Sequence, residues 1–182
     1  MIRLSEAKEQ DLIRLAQGGN SDAFGRLVAH YQQTVYNIAY RLTGNRQETE
    51  DVSQETFVKA HQALDRFDPQ RPFAPWLYRI ATNTALNWIK RRRPEVELDA
   101  ETPPVDAAPG PEARAIAADS AARLRAAITA LPPNHRAAIE LRHFQGLSYH
   151  EMSEVLEAPL SDIKSWLFRA RRKQREVLAN VG

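Results

Sequence analysis

The sequence predicts an all-α protein of two small helical domains joined by a flexible, acidic, proline- and alanine-rich linker. Three observations carry this expectation. Apolar residues recur every three or four positions through residues 5–93 and again through 116–182, and nothing alternates as strands do. Between these stretches Pro94, Pro103, Pro104, Pro109 and Pro111 sit among alanines and acids, which denies a helix and offers no apolar face. Charge divides along the same lines. Arg71, Arg79, Lys90, Arg91, Arg92 and Arg93 give residues 71–93 a local charge of +6, with no acid among them. Glu95, Glu97, Asp99, Glu101, Asp106 and Glu112 give residues 94–112 a charge of −6, and residues 161–182 carry +4. The predicted boundaries are therefore a domain at 1–93, a linker at 94–115 and a second domain at 116–182.

Each element has a local reason. Ser5 can cap a first helix that stops at Gly18-Gly19. Asn20 or Ser21 can cap a second, whose Phe24, Leu27, Tyr31, Val35, Ile38 and Leu42 form one stripe, and Thr43-Gly44-Asn45 ends it. A third helix from about Gln47 to Phe67 carries Val52, Phe57, Ala60, Leu64 and Phe67, and Asp68-Pro69-Gln70-Arg71-Pro72 interrupts it. A fourth, about Pro75 to Arg93, pairs Trp76/Leu77, Ile80/Ala81, Thr84/Ala85 and Trp88/Ile89 on one broad buried face, leaving Arg79, Asn83 and Lys90 on the other.

In the second domain a helix from about Asn134 can end at Gly146. Ser148 and Glu151 are placed as a capping box, with Leu147 and Met152 as its hydrophobic staple. That short helix ends near Glu157-Ala158-Pro159, and Ser161 is placed to cap a long basic helix with Ile163, Leu167 and Ala170 inward. Short helix, tight turn and basic second helix make the layout of a helix-turn-helix, although any helical hairpin shares such caps.

Composition excludes several classes. With 43% apolar and 26% charged residues the chain should fold. No apolar run approaches the roughly 18 residues that span a bilayer, and MIRLSEAKEQ has no signal-peptide core. The expectation is a cytoplasmic protein without membrane insertion. There is no Cys, so no disulfide, no thiol chemistry and no Cys-based zinc site. The histidines are scattered, and neither a phosphate-binding glycine loop nor a GxSxG turn is present. Asp51 and Glu55 form a carboxylate pair at helical spacing, but such pairs are far more often solvated faces or protein contacts than acid–base machinery. The expectation is no enzyme and no cofactor or metal.

Two basic segments on either side of an acidic tether suggest two polyanion-binding surfaces, against the plainer reading of solvated helix faces. Around the fourth helix Phe67, Phe73, Trp76, Tyr78 and Trp88 interleave with the bases. Aromatic faces can stack unpaired bases while cations neutralise phosphates. Trp76 and Trp88 fit the core stripe better. Phe67, at the loop edge, and the Asn83 amide are the candidates for holding or reading a base.

The strings DVSQETFVKAHQALDRF (51–67) and FAPWLYRIATNTALNWIKRRR (73–93) resemble region 2 of extracytoplasmic-function sigma factors, members of the sigma-70 superfamily. LPPNHRAAIELRHFQGLSYHEMSEVLEAPLSDIKSWLFRARRK (131–173) resembles their region 4 helix-turn-helix, and both blocks stand in the family's order. The resemblance implies a subunit that binds core RNA polymerase and directs promoter-specific initiation. It assigns Asp51, Gln54 and Glu55 to polymerase docking, and Phe67, Arg79, Asn83, Lys90, Arg91, Arg92 and Arg93 to the −10 element and its melting. Arg142, Ser161, Lys164, Ser165, Phe168, Arg169, Arg171 and Arg172 fall to the duplex −35 element. It also implies an anti-sigma factor as a partner. Ser161-Asp162 stands where the family usually opens the recognition helix with Gly-Thr, and Trp166 where Arg or His is common, so the −35 sequence does not follow. A conventional helix-turn-helix regulator would leave the fourth helix and the linker without a role, and a pure protein-interaction module would not need two basic surfaces.

Overall fold

The computed structural model describes residues 6–91 and 128–179, and among them every regular element is helical. Helix α1 (Glu6–Gln17) buries Leu12, Ile13 and Ala16. Its expected cap, Ser5, lies outside the described residues, as do the linker 94–115 and residues 116–127 of the second domain. Gly19, at φ +87°, turns the chain into α2 (Ser21–Thr43), where Asn20 accepts the Ala23 N–H at 3.0 Å. Leu27, Tyr31, Val35, Ile38 and Leu42 are buried as the spacing predicts, whereas Phe24 is only partly buried.

Gly44 closes α2 at φ +72° with its N–H on the Tyr40 carbonyl at 2.8 Å. Asn45 then caps α3 (Arg46–Ala63) through the Glu48 N–H. The buried stripe of α3 is more polar than the apolar pattern suggested, because Thr49 and Thr56 sit beside Val52 and Ala60. Their hydroxyls donate to the Asn45 and Val52 carbonyls at 2.6 and 2.7 Å, which makes their burial tolerable. The last turn tightens into a 3₁₀ segment, Leu64–Arg66, where the sequence suggested continuous helix. Gln17 of α1 donates to the Leu64 and Phe67 carbonyls at 2.9 and 2.7 Å, anchoring the start of the following loop.

Helix α4 (Phe73–Arg91) starts two residues earlier than expected. Pro75 falls in its first turn, where a missing N–H is harmless. Phe73, Leu77, Ala81, Thr84 and Ala85 are buried, and Trp76, Ile80, Trp88 and Ile89 pack partly buried against the same core. Helices α2, α3 and α4 pack on one another and α1 closes over α2.

In the C-terminal part, Pro133 opens α5 (Pro133–Ile139), which continues as a wider π turn over Glu140–Phe144. Gly146, at φ +71°, reverses the chain, and the Leu147 N–H reaches the Leu141 carbonyl at 3.0 Å. Helix α6 (Tyr149–Leu156) carries the capping box in full. The Ser148 N–H donates to Glu151 at 2.7 Å and the Glu151 N–H to the Ser148 hydroxyl at 3.3 Å. These hydrogen bonds hold the Glu151 carboxyl below its ordinary value.

Helix α7 (Leu160–Ala179) begins one residue before Ser161. Ser161 is therefore inside the first turn rather than its cap, and the Pro159 carbonyl takes the Asp162 and Ile163 N–H groups instead. Ile163, Leu167 and Ala170 face inward, the first two joining Leu141, Leu147, Met152 and Val155 in one core.

The N-terminal and C-terminal helices also pack against each other. Helix α6 lies on α4 and α5 on α2, with Tyr78 and Leu156 touching both cores. Nothing in the residue pattern anticipates this contact.

Candidate nucleic-acid interface

With Ile163, Leu167 and Ala170 turned inward, the 100° step of a helix sets Ser161, Ser165, Phe168 and Arg172 along the outer ridge of α7. Lys164 and Arg171 lie on one flank and Arg169 on the other. Phe168 is 67% exposed, an apolar ring standing among cations, which suits a thymine methyl or a sugar edge. Lys164, Arg169 and Arg171 have no carboxylate within ion-pair distance among the described residues, while Arg172 reaches Glu176 at 3.4 Å. Ser165 is half-buried.

Arg142 stands apart from this ridge. Its guanidinium donates to the Leu147 carbonyl at 2.8 Å and lies 5.2 Å from the Tyr149 ring centre. This bond makes it a clamp on the turn before α6, a structural engagement the sequence reading did not foresee for a residue expected to face the −35 element.

Behind the ridge, Trp166 and His135 face Leu86, Lys90 and Pro132–Asn134 across a cleft of about 360 Å³. Burial, then the nearby Arg169, hold His135 below its ordinary pKa, so it adds no charge there at neutral pH.

The α4 side is built differently. Phe67 is 6% exposed, its ring centre 4.8 Å from Trp76 and 5.4 Å from Phe73. An aromatic cluster holds it beneath the loop, and this corrects the expectation that it stands at the loop edge to receive a base. Phe67 supports whatever Asp68–Pro72 does. Asn83 is half-buried on α4 and has no hydrogen-bond partner among the described residues. The neighbouring Thr82 hydroxyl is buried and likewise unpartnered. Lys90 and Arg91 are exposed at the end of the helix, and Arg92 and Arg93 lie outside the described residues. Arg79 is exposed but ion-paired with Glu157, and Arg71 lies 3.4 Å from Glu154.

On α3, Asp51 and Gln54 are exposed and Glu55 is half-buried, paired with Lys59 at 2.6 Å. Val58, 54% exposed, lies on the same face, seven residues from Asp51 and four from Gln54. The sequence reading passed over it, although its spacing from Asp51 and Gln54 was legible. An apolar side chain beside acids and an amide suits a protein partner better than nucleic acid. Among the described residues no cluster of His, Asp or Glu could hold a metal ion, and no helix is long and apolar enough to cross a membrane.

The same two blocks emerge on comparison with known proteins. The family "Sigma-70 region 2" matches residues 27–95, and "Sigma-70, region 4" matches residues 121–173. The extracytoplasmic-function RNA polymerase sigma factor SigW of Bacillus subtilis is 33% identical over 179 residues, covering 93% of this chain and 96% of that protein. The RNA polymerase sigma-H factor of Pseudomonas aeruginosa is 36% identical, with 92% of each chain covered. Among solved structures, CnrH in complex with the cytosolic domain of CnrY superposes with a TM-score of 0.68 at 31% identity, over 95% of this chain and 98% of that one. Matched in both regions and along nearly its whole length, this chain belongs to the extracytoplasmic-function sigma factors of the sigma-70 family.

Proposed function

We propose that this chain binds core RNA polymerase and brings it to promoters by reading two elements with two separate helices. The observation that carries the reading is the outer ridge of α7. Lys164, Arg169 and Arg171, with no carboxylate at ion-pair distance among the described residues, stand with the exposed Phe168 on a preformed helix-turn-helix, a surface suited to the major groove of a −35 element.

The domain at 1–93 handles the polymerase and the −10 element, and the domain at 116–182 the −35 element, with 94–115 spanning between them. On α3, Asp51, Gln54, Glu55 and Val58 supply the polymerase-facing surface. On α4 the Asn83 amide, without a hydrogen-bond partner among the described residues, reads an exposed base edge, while Arg79, Lys90, Arg91, Arg92 and Arg93 hold strand phosphates. Capture of unstacked bases favours melting without nucleotide hydrolysis, so the protein has no catalytic group of its own and acts where the polymerase is, in the cytoplasm. That CnrH was solved with a second protein bound supports a separate anti-sigma factor for this chain as well.

The test is run-off transcription with purified core polymerase on promoter fragments selected by the holoenzyme. Promoter-dependent transcripts are the expected result. Binding of duplex DNA by the chain without any transcript would make it a conventional helix-turn-helix regulator instead.

A further inference from the structure

Residues 128–179 hold six carboxylates, and five of them are engaged. Glu140 takes Arg41 at 2.9 Å, Glu154 takes Arg71, Glu157 takes Arg79, and Glu176 takes Arg172 and Lys173. Glu151 accepts the Ser148 N–H in the capping box. Asp162 is different. It is exposed in the first turn of α7. Among the described residues no cation lies within ion-pair distance of it, and no backbone N–H donates to its carboxylate. The Ser161 hydroxyl, at a long 3.4 Å, is its one donor there.

The helix itself leaves Asp162 so. A helical carboxylate pairs with a base three or four residues away, as Glu176 does with Arg172 and Lys173. Three and four residues on from Asp162 stand Ser165 and Trp166. Trp166 is half-buried and faces His135 across the cleft behind the ridge. The 100° step of the helix puts Asp162 on the flank that also carries Arg169, two turns farther on.

The first residues of a recognition helix are the ones that meet base edges in the major groove. A carboxylate brought there loses water and faces phosphates of its own sign, so it disfavours DNA unless a base donates to it. Guanine and thymine present only acceptors and a methyl group on that side. Adenine has a donor, N6, but its N7 acceptor lies alongside and repels a carboxylate. Cytosine presents N4 as a donor and is the best match.

We propose that Asp162 is a specificity residue of α7. It accepts a hydrogen bond from cytosine N4 at one position of the −35 element and rejects guanine and thymine there. The inference rests on the reading of α7 as the −35 helix, and it names one base which that helix selects. Ser161-Asp162 replaces the Gly-Thr usual in the family, so the preference belongs to this chain's own sequence. An acid in the first turn also suits the helix dipole, but that role serves the fold whichever base lies outside.

The test uses the full chain in holoenzyme with purified core polymerase, which selects from a library of random duplex DNA. Base preference is read from the enriched sequences for the parent, Asp162→Ala, Asp162→Asn, Lys164→Ala and Arg169→Ala. We expect the parent to enrich cytosine at one −35 position. Asp162→Ala should lower that preference about tenfold, within the range of one good base contact. Asp162→Asn keeps the shape but adds a donor, and an amide matches N7 and N6 of adenine, so the preference should move from cytosine to adenine. Preferences at the other −35 positions should stay as they are in both Asp162 variants.

If both Asp162 variants select as the parent does while Lys164→Ala or Arg169→Ala weakens −35 binding, α7 reads DNA without Asp162 and the proposal is overturned. A uniform gain in affinity with no change at any position overturns it too, because the carboxylate then only repels phosphates. If Lys164→Ala and Arg169→Ala also leave −35 preference and affinity unchanged, the reading of α7 itself has failed, and this proposal with it.

Discussion

Helices α7 and α4 are both basic, and both are proposed to meet DNA, yet they are built on opposite plans. On α7 the structural residues and the reading residues are different positions. Ile163, Leu167 and Ala170 fix the helix, and Lys164, Phe168 and Arg169 stand exposed on its other side. On α4 and its loop the candidate residues are already engaged by the fold. Phe67 is core, Trp76 packs partly buried beside it, and Arg79 is held by Glu157. Duplex DNA presents a fixed groove, and a rigid exposed ridge is enough to read it. A flipped or unstacked base needs a pocket, and a pocket needs walls that belong to the fold. Substitutions should therefore separate cleanly into binding and stability effects on α7, and mix them around α4.

The largest effect expected is at Phe67. Truncating a buried aromatic that packs on Phe73 and Trp76 removes apolar burial and leaves a cavity, so Phe67→Ala should cost about 3–5 kcal/mol. Urea unfolding followed through tryptophan emission measures it. A loss below about 1 kcal/mol would mean that Phe67 leaves the core readily, and the contrast between the two helices would dissolve.

On α7 the effects should appear in binding alone. Lys164→Ala or Arg169→Ala should weaken duplex −35 binding by about 1–3 kcal/mol if the side chain meets a base, or flatten the salt dependence if it meets a phosphate. Thermal stability should hold, since both side chains are exposed and neither is ion-paired among the described residues. Transcription from a template already mismatched at the −10 position should be unaffected. If Arg169→Ala abolished transcription from that pre-melted template, the division of labour would be wrong.

Asn83 is the sharpest case on α4. Asn is a poor residue for a helix interior because its side chain competes for backbone hydrogen bonds, so Ala should serve the fold equally well or slightly better. Asn83→Ala should leave the melting temperature unchanged or raised. It should relax preference at one −10 base by about 1–3 kcal/mol, the worth of a bidentate contact. Permanganate reactivity of promoter thymines across −10 variants reads the second effect. A clear loss of stability with base preference intact would make Asn83 a structural residue.

These contrasts also mark where the sequence was legible. Caps at Asn20 and Ser148, the glycine turns at Gly44 and Gly146, and the stripes of α2 and α7 are local patterns, and local patterns survive into the fold. The sequence said least where tertiary packing decides. Phe67 lies next to a polar loop, so its position suggested a surface, while the cluster that buries it depends on Phe73 and Trp76 arriving from α4. Arg142 was read as a base in a DNA-facing stretch, and the Leu147 carbonyl that claims it becomes available only when the turn at Gly146 forms. The seam between the halves could not be read at all. Arg41 and Glu140 stand 99 positions apart, and Arg79 and Glu157 stand 78 apart, with no repeat or period linking them.

The smallest effect expected concerns the capping box, which steadies α6 both as the support of α7 and as the helix that lies on α4. Ser148→Ala should cost about 1 kcal/mol, the usual worth of an N-cap. Glu151 adds a dependence on pH. Hydrogen bonds from Ser148 favour its charged form and depress its pKa in the folded state. A carboxylate depressed on folding stabilises fully above its unfolded value, about 4.3, and that stabilisation fades as pH falls through the lowered folded value. Glu151→Gln keeps an oxygen facing the Ser148 N–H but has no proton to gain. The gap between wild type and this variant should therefore be widest at neutral pH and should close on acidification. Hydrogen exchange at the α6 amides is the suitable measurement, because it reports opening of that helix rather than of the whole chain. Exchange rates for the two proteins that differ equally at neutral and acid pH would remove the charge of Glu151 from the account of α6 and leave the cap to Ser148 alone.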